Sequence, residues 1–139
     1  MLDEEENLDR LLAELTPVLT ALGSYEIVFV DDGSRDQSRE LVLEAREHNR
    51  CIKLIELSRN FGHQAALIAG LDHARGRAVV LMDADLQDPP TVITEFVAQW
   101  RAGSEVVYGT RTARKEGRML RACFYVFYRV LRRLSDTEL

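Results

Sequence analysis

The sequence predicts an α/β fold, a mainly parallel sheet with helices on both faces. Apolar stripes at helical spacing alternate along the chain with short runs of strand-forming residues. One of those runs, residues 78–82, is apolar throughout, as strands buried on both faces are. Two acidic clusters follow such runs directly, at the carboxyl strand ends where sheets of this class bind ligands. Strands joined through helices imply right-handed crossovers and hence parallel pairing.

The elements follow in order. Residues 4–22 place Leu8, Leu11, Leu12, Leu15, Val18, Leu19 and Leu22 on one stripe, an amphipathic helix that Gly23 can close. Residues 26–30 are a short β-rich run ending in Asp31-Asp32-Gly33-Ser34. Ser34 or Asp36 can cap a second helix reaching about Asn49, and 52–57 reads as the next strand. Helical spacing returns over 63–74 with Gly76 as a stop, ahead of the apolar run 78–82. Asp88-Pro89-Pro90 suits a helix entry, because aspartate caps and proline is tolerated in the first turn. That helix reaches Ala102, and 105–108 makes the last strand. Residues 117–134 read as a helix with Leu120, Phe124, Phe127, Tyr128 and Leu131 on one side and arginines over much of the rest. The chain opens on a helix where the alternation expects a strand, so a first strand is expected to be missing and 1–139 to form a single, partial domain.

A chain of 139 residues suits one domain, and 46% hydrophobic with 29% charged residues argues against disorder or a fibrous repeat. The net charge of -5 is unevenly spread. Between Arg111 and Arg133 stand eight Lys/Arg and one acidic residue, a basic segment that can attract phosphates or an anionic membrane as well as form a solvated helix face. No nucleic-acid partner is expected. Cys51 and Cys123 stand far apart without CxxC or a histidine cluster, which argues against a disulfide framework or zinc site and fits a reducing cytoplasm. No signal-peptide pattern opens the sequence, and no apolar run approaches the roughly 20 residues that span a bilayer.

The segment Val79-Val80-Leu81-Met82-Asp83-Ala84-Asp85-Leu86-Gln87-Asp88 takes an apolar run directly into carboxylates and an amide. Buried unpaired, such groups would cost several kcal/mol each, so they must face solvent, a cation or donors. Carboxylates at i and i+2 share a side of an extended chain and can share one hard divalent ion, magnesium or manganese. Asp88, just before Pro-Pro, is better explained as a turn or cap residue. In Asp31-Asp32-Gly33-Ser34 the glycine permits a tight turn, and a carboxylate there can accept from a base or a ribose hydroxyl.

The segments 30–34 (VDDGS), 58–67 (SRNFGHQAAL), 81–90 (LMDADLQDPP) and 108–111 (YGTR) together resemble the family 2 glycosyltransferases of the GT-A, Rossmann-like fold, in order and over essentially the whole chain. Among these they are most similar to dolichol-phosphate mannosyltransferase-like enzymes, which transfer a sugar from a nucleotide diphosphate to a polyprenyl phosphate. The resemblance implies that Asp31 and Asp32 contact the nucleoside, that Asp83 lies near the ribose and diphosphate, and that Asp85 and Gln87, beside Asp83, hold the metal. It implies that Arg111 meets the acceptor phosphate, and charge and position add Arg118 and Arg121. Asp83, Asp85 and Arg111 are thus the expected catalytic residues, and the expected seat is the cytoplasmic face of a membrane. Family members usually begin with a strand and a Pro-x-Tyr-Asn-Glu-Glu-like loop, of which residues 3–8 match only the end, and they continue past position 139.

The implied reaction is an inverting attack of a phosphate oxygen on the anomeric carbon, with a nucleoside diphosphate leaving. The other reading of the same acidic strand ends is a receiver-like signalling module that binds magnesium beside a phosphoacceptor Asp83. It lacks a lysine after a late strand and leaves Gln87-Asp88-Pro89-Pro90 without a role. A dinucleotide oxidoreductase is disfavoured because no GxGxxG follows the first strand.

Overall fold

A computed structural model describes residues 1–110, of which Met1–Val107 form one compact unit. Its elements are α1 (Glu5–Leu22), β1 (Ile27–Asp31), α2 (Ser38–His48), β2 (Ile52–Glu56), α3 (His63–His73) and α4 (Val92–Arg101). The four helices and two strands stand where the periodicity places them, with ends shifted by a few residues.

The strands pair in parallel, from Ile27 opposite Ile52 to Asp31 opposite Glu56. The Ile27 N–H donates to the Cys51 carbonyl and the Leu57 N–H to the Asp31 carbonyl, both at 2.9 Å. Main-chain groups alternate sides along a strand, so Ile27, Phe29 and Asp31 bond β2 while those of Val28 and Val30 point to the opposite edge. Side chains alternate likewise across the two faces. Ile27 and Phe29 join Leu8, Leu11 and Leu15 of α1, Val42 of α2, Ile52 and Ile93 in one buried core. On the other face α3 comes so close that a Cβ on Gly70 would lie 3.3 Å from Val30 Cγ2. Helices therefore cover both faces, as expected. Leu8 and Val42 are fully buried, and truncating a leucine in such a place costs about 2–5 kcal/mol.

The start of α2 differs in detail. The N-cap position is Gln37, and Ser34 is engaged by Asp31 instead. Asp36 acts one residue outside the cap: one carboxylate oxygen accepts the Ser38 N–H at 3.0 Å, and the other accepts the Glu5 N–H at 3.0 Å. The Ser38 hydroxyl accepts the Glu4 N–H at 2.8 Å, so the amino ends of α1 and α2 are tied together. Thr91 rather than Asp88 holds the cap position of α4, and the first turn is closed by Val92 and Ile93 amides donating to the Pro89 and Pro90 carbonyls at 3.1 Å.

Two strand predictions are not met. Residues 78–82 and 105–108 carry neither helix nor strand, and Val79, Val80, Leu81 and Val106 are exposed. An apolar run becomes a strand only when another main chain satisfies its N–H and C=O groups. A cavity separates 78–82 from the open edge of β1, so that partner is not in place.

Candidate functional site

At the carboxyl end of β1 the chain turns sharply, and both aspartates of the turn are only 4% exposed. Asp31 accepts the Ser34 N–H at 3.1 Å and also the Ser34 hydroxyl, which closes the turn on itself. Asp32 reaches across to the segment after β2. Its two oxygens accept the Phe61 N–H at 2.7 Å and the Gly62 N–H at 2.9 Å, charge-assisted bonds that hold residues 58–62 in place. Gly33 makes the approach possible. With φ at +83°, a Cβ there would lie 2.9 Å from the Asn60 nitrogen, so a larger residue would push the loop away. The Arg59 guanidinium sits 4.4 Å from the centre of the Phe61 ring and fastens the loop's outer side.

The second acidic cluster is a loop. Asp83 and Gln87 are exposed and Asp85 is half-buried, with Asp85 Oδ1 accepting the Gln87 N–H at 3.1 Å. Leu86 between them has φ +57°, a left-handed conformation that costs a branched residue about 1–2 kcal/mol. Strain of this kind is characteristic of sites that hold a ligand. Among the described residues no three His, Cys, Asp or Glu side chains converge as a metal cage. The donor set nevertheless fits a hard divalent ion: Asp83 and Asp85 supply carboxylate oxygens, Gln87 an amide oxygen, and magnesium ordinarily completes its shell with waters and substrate phosphates.

Residues of both clusters line one cavity of about 870 Å³: Asp32 with Asn60, Gly62 and His63, and Asp83 with Asp85. Asp32, Asp83 and Asp85 thus line the same cavity, while Asp31 and Gln87 stand outside the lining. Sequence reasoning treated Asp32 as a ligand group and missed its bonds to Phe61 and Gly62. The signal was the pair of glycines, Gly33 and Gly62, each with positive φ and each touching the same contact from opposite sides. Asn60 and His63, the first residue of α3, are likewise brought to the cavity by that loop. Arg111, Arg118, Arg121, Cys123 and the helix expected over 117–134 lie outside the described residues. Among the described residues no helix is long and apolar enough to cross a membrane.

Comparison with known proteins gives the lineage. The family model described as glycosyl transferase family 2 matches residues 1–131. An uncharacterized glycosyltransferase of Synechocystis sp. is 45% identical over all of this chain and 44% of its own length. An undecaprenyl-phosphate 4-deoxy-4-formamido-L-arabinose transferase of Pseudomonas paraeruginosa is 41% identical over 82% of this chain and 34% of its own. The chain therefore spans less than half the length of these relatives. In fold it is similar to the crystal structure of S. aureus TarS residues 1–349, with a TM-score of 0.59 at 20% identity over 84% of this chain and 38% of that one. This likeness bears out the expected GT-A arrangement of parallel strands and flanking helices. Between the transferase and receiver-like readings of the acidic strand ends, these matches decide for the first: the chain belongs to glycosyl transferase family 2.

Proposed function

We propose that the chain is the donor-binding part of an inverting glycosyltransferase that moves a sugar from a UDP- or GDP-sugar to a polyprenyl phosphate with the help of magnesium or manganese. The observation that carries this reading is the shared cavity, whose lining includes Asp32, Asn60 and Gly62 as well as Asp83 and Asp85. Family 2 generally uses a divalent metal, and a relative at 41% identity bears a name that includes undecaprenyl phosphate.

In this reading Asp31 and Asp32 shape the wall against which the nucleoside rests, and Asp83 faces its ribose and diphosphate. Asp85, Gln87 and Asp83 would hold the ion, which offsets the charge that grows on the diphosphate and orients it. The acceptor phosphate oxygen bonds to the anomeric carbon from the face opposite the leaving group. The bond from that carbon to the diphosphate oxygen breaks, and the nucleoside diphosphate leaves with the electron pair. A phosphate is already ionised near neutral pH, so no strong general base is required. Arg111, with Arg118 and Arg121, would receive the acceptor phosphate, and the basic segment would bring the protein to the cytoplasmic face of the membrane.

The test is a thermal-unfolding screen of UDP- and GDP-sugars with and without manganese. Stabilisation by one nucleotide class, larger with manganese, is the expected result. No shift with any nucleotide sugar would overturn the reading.

A further inference from the structure

α3 is apolar around its circumference, and only one side of it is covered. Six of its eleven residues are alanine, leucine or isoleucine, and Asp72 is its one acidic residue. A helix of that composition is ordinarily covered all round, in a core or against lipid. Ala66 is buried and Gly70 approaches Val30, so that side faces the sheet. Ile68 follows Ala66 by two residues, about 200° round the helix, and Leu71 comes about one turn later on the same side. They are 59% and 45% exposed. Phe61, just ahead of the helix, is 50% exposed beneath the Arg59 guanidinium.

The charge around this patch differs in sign from that on the other face of the sheet. Residues 1–58, which include α1 and α2, carry 6 Lys/Arg and 14 Asp/Glu. Residues 59–77 carry Arg59, Arg75 and Arg77, all exposed, against Asp72. We infer that the outer side of α3 is a lipid-contacting surface that seats the protein on an anionic bilayer, with Ile68 and Leu71 in the headgroup layer. A second copy is a poor occupant. Two α3 helices related by a two-fold axis would bring Arg59 against Arg59 or against Arg75, and like charges repel. The basic segment between Arg111 and Arg133 carries that same sign. An anionic bilayer answers both properties, because it takes apolar side chains between its headgroups and draws arginines to its phosphates. With the acidic α1 and α2 on the far face, the field of the whole domain turns α3 toward such a surface. The inference rests on the proposed function for the membrane but assigns the contact to a different part of the chain from the basic segment. α3 begins at His63, on the lining of the cavity, so docking through α3 holds that cavity at the lipid surface.

The experiment uses the 139-residue chain with Cys51→Ser and Cys123→Ser, adds Ile68→Cys or, as a control on α2, Glu47→Cys, and labels the single thiol with an environment-sensitive fluorophore. On phosphatidylserine-containing vesicles at low salt, the label at position 68 should shift to the blue and become shielded from aqueous iodide. The label at position 47 should do neither. Ile68→Asp in the otherwise unchanged chain should weaken vesicle affinity at least about tenfold, because a charge replaces a buried isoleucine. A position-68 label still open to iodide on sedimented protein, or Ile68→Asp without effect, would overturn the inference and leave the basic segment as the lipid contact. Shielding at position 68 without vesicles would also overturn it. The occupant is then a second copy if shielding grows with protein concentration, and another part of the chain if it does not. No co-sedimentation at all would remove the membrane from the proposed function and this inference with it.

Discussion

Gly62 donates its N–H to Asp32 Oδ2 at 2.9 Å while holding a φ of +93°, so a carboxylate fastens the amino end of α3 to the turn that follows β1. The neighbouring amide of Phe61 takes the other oxygen at 2.7 Å. Asp32→Ala leaves both amides without their acceptor. Each bond to a charged group contributes about 1.5–3 kcal/mol, so a loss on that order is expected in urea unfolding. An unchanged midpoint would show that the loop does not depend on Asp32.

Gly33→Ala tests the same contact from the opposite side. The added methyl would meet the Asn60 nitrogen, and the left-handed backbone adds its own strain of about 1–3 kcal/mol. Both effects destabilise, so the expected result is a lower unfolding midpoint with increased proteolysis near residues 58–62. An alanine variant as stable as the parent would contradict the close approach.

These two residues also mark what the sequence could disclose. α1 was legible because its apolar spacing marks the stripe that is buried, Leu8, Leu11 and Leu15, whereas in α3 Ile68 and Leu71 are exposed and only Ala66 is buried. β1 was legible from its β-rich run and the acidic turn that ends it. The clamp between Asp32 and 61–62 was not, since it joins positions 29 and 30 residues apart and no local pattern encodes the partner. Residues 78–82 failed for a different reason: Val79, Val80 and Leu81 have strand propensity, but a strand needs a neighbour, and periodicity reports only burial. The spacing of Asp83 and Asp85 suggested a hard-ion pair, whereas their place on one cavity with Asp32 required the fold.

Acid should weaken the other end of β1. Glu26 is hydrogen-bonded by the Lys53 ammonium and by the Arg75 N–H, and these hold its carboxyl below the ordinary value of 4.5. Because the folded value is the lower one, the stabilisation is whole above the ordinary carboxylate range and is lost as pH falls below about 4.5. Glu26→Gln should flatten that part of a stability-versus-pH curve and leave the neutral region less stable. A curve of unchanged slope between pH 5 and 3 would exclude the pairing as its cause.

The basic segment from Arg111 to Arg133 carries eight Lys/Arg against one acidic residue. Attraction to anionic lipid is on the order of 1 kcal/mol per basic residue near the surface and is screened by salt. Co-sedimentation with phosphatidylserine-containing liposomes is expected at low salt and should fall as salt rises. No sedimentation at low salt would remove the membrane from the proposed function.

The most direct measurement of the central claim is calorimetry of UDP and GDP against this chain in the presence of manganese, repeated after EDTA and with Asp85→Ala. One of the two nucleotides should bind with a heat that EDTA abolishes and that Asp85→Ala reduces at least tenfold in affinity. Binding of equal strength without metal, or in the Asp85→Ala variant, would contradict a metal-assisted nucleotide-sugar site formed by Asp32, Asp83 and Asp85.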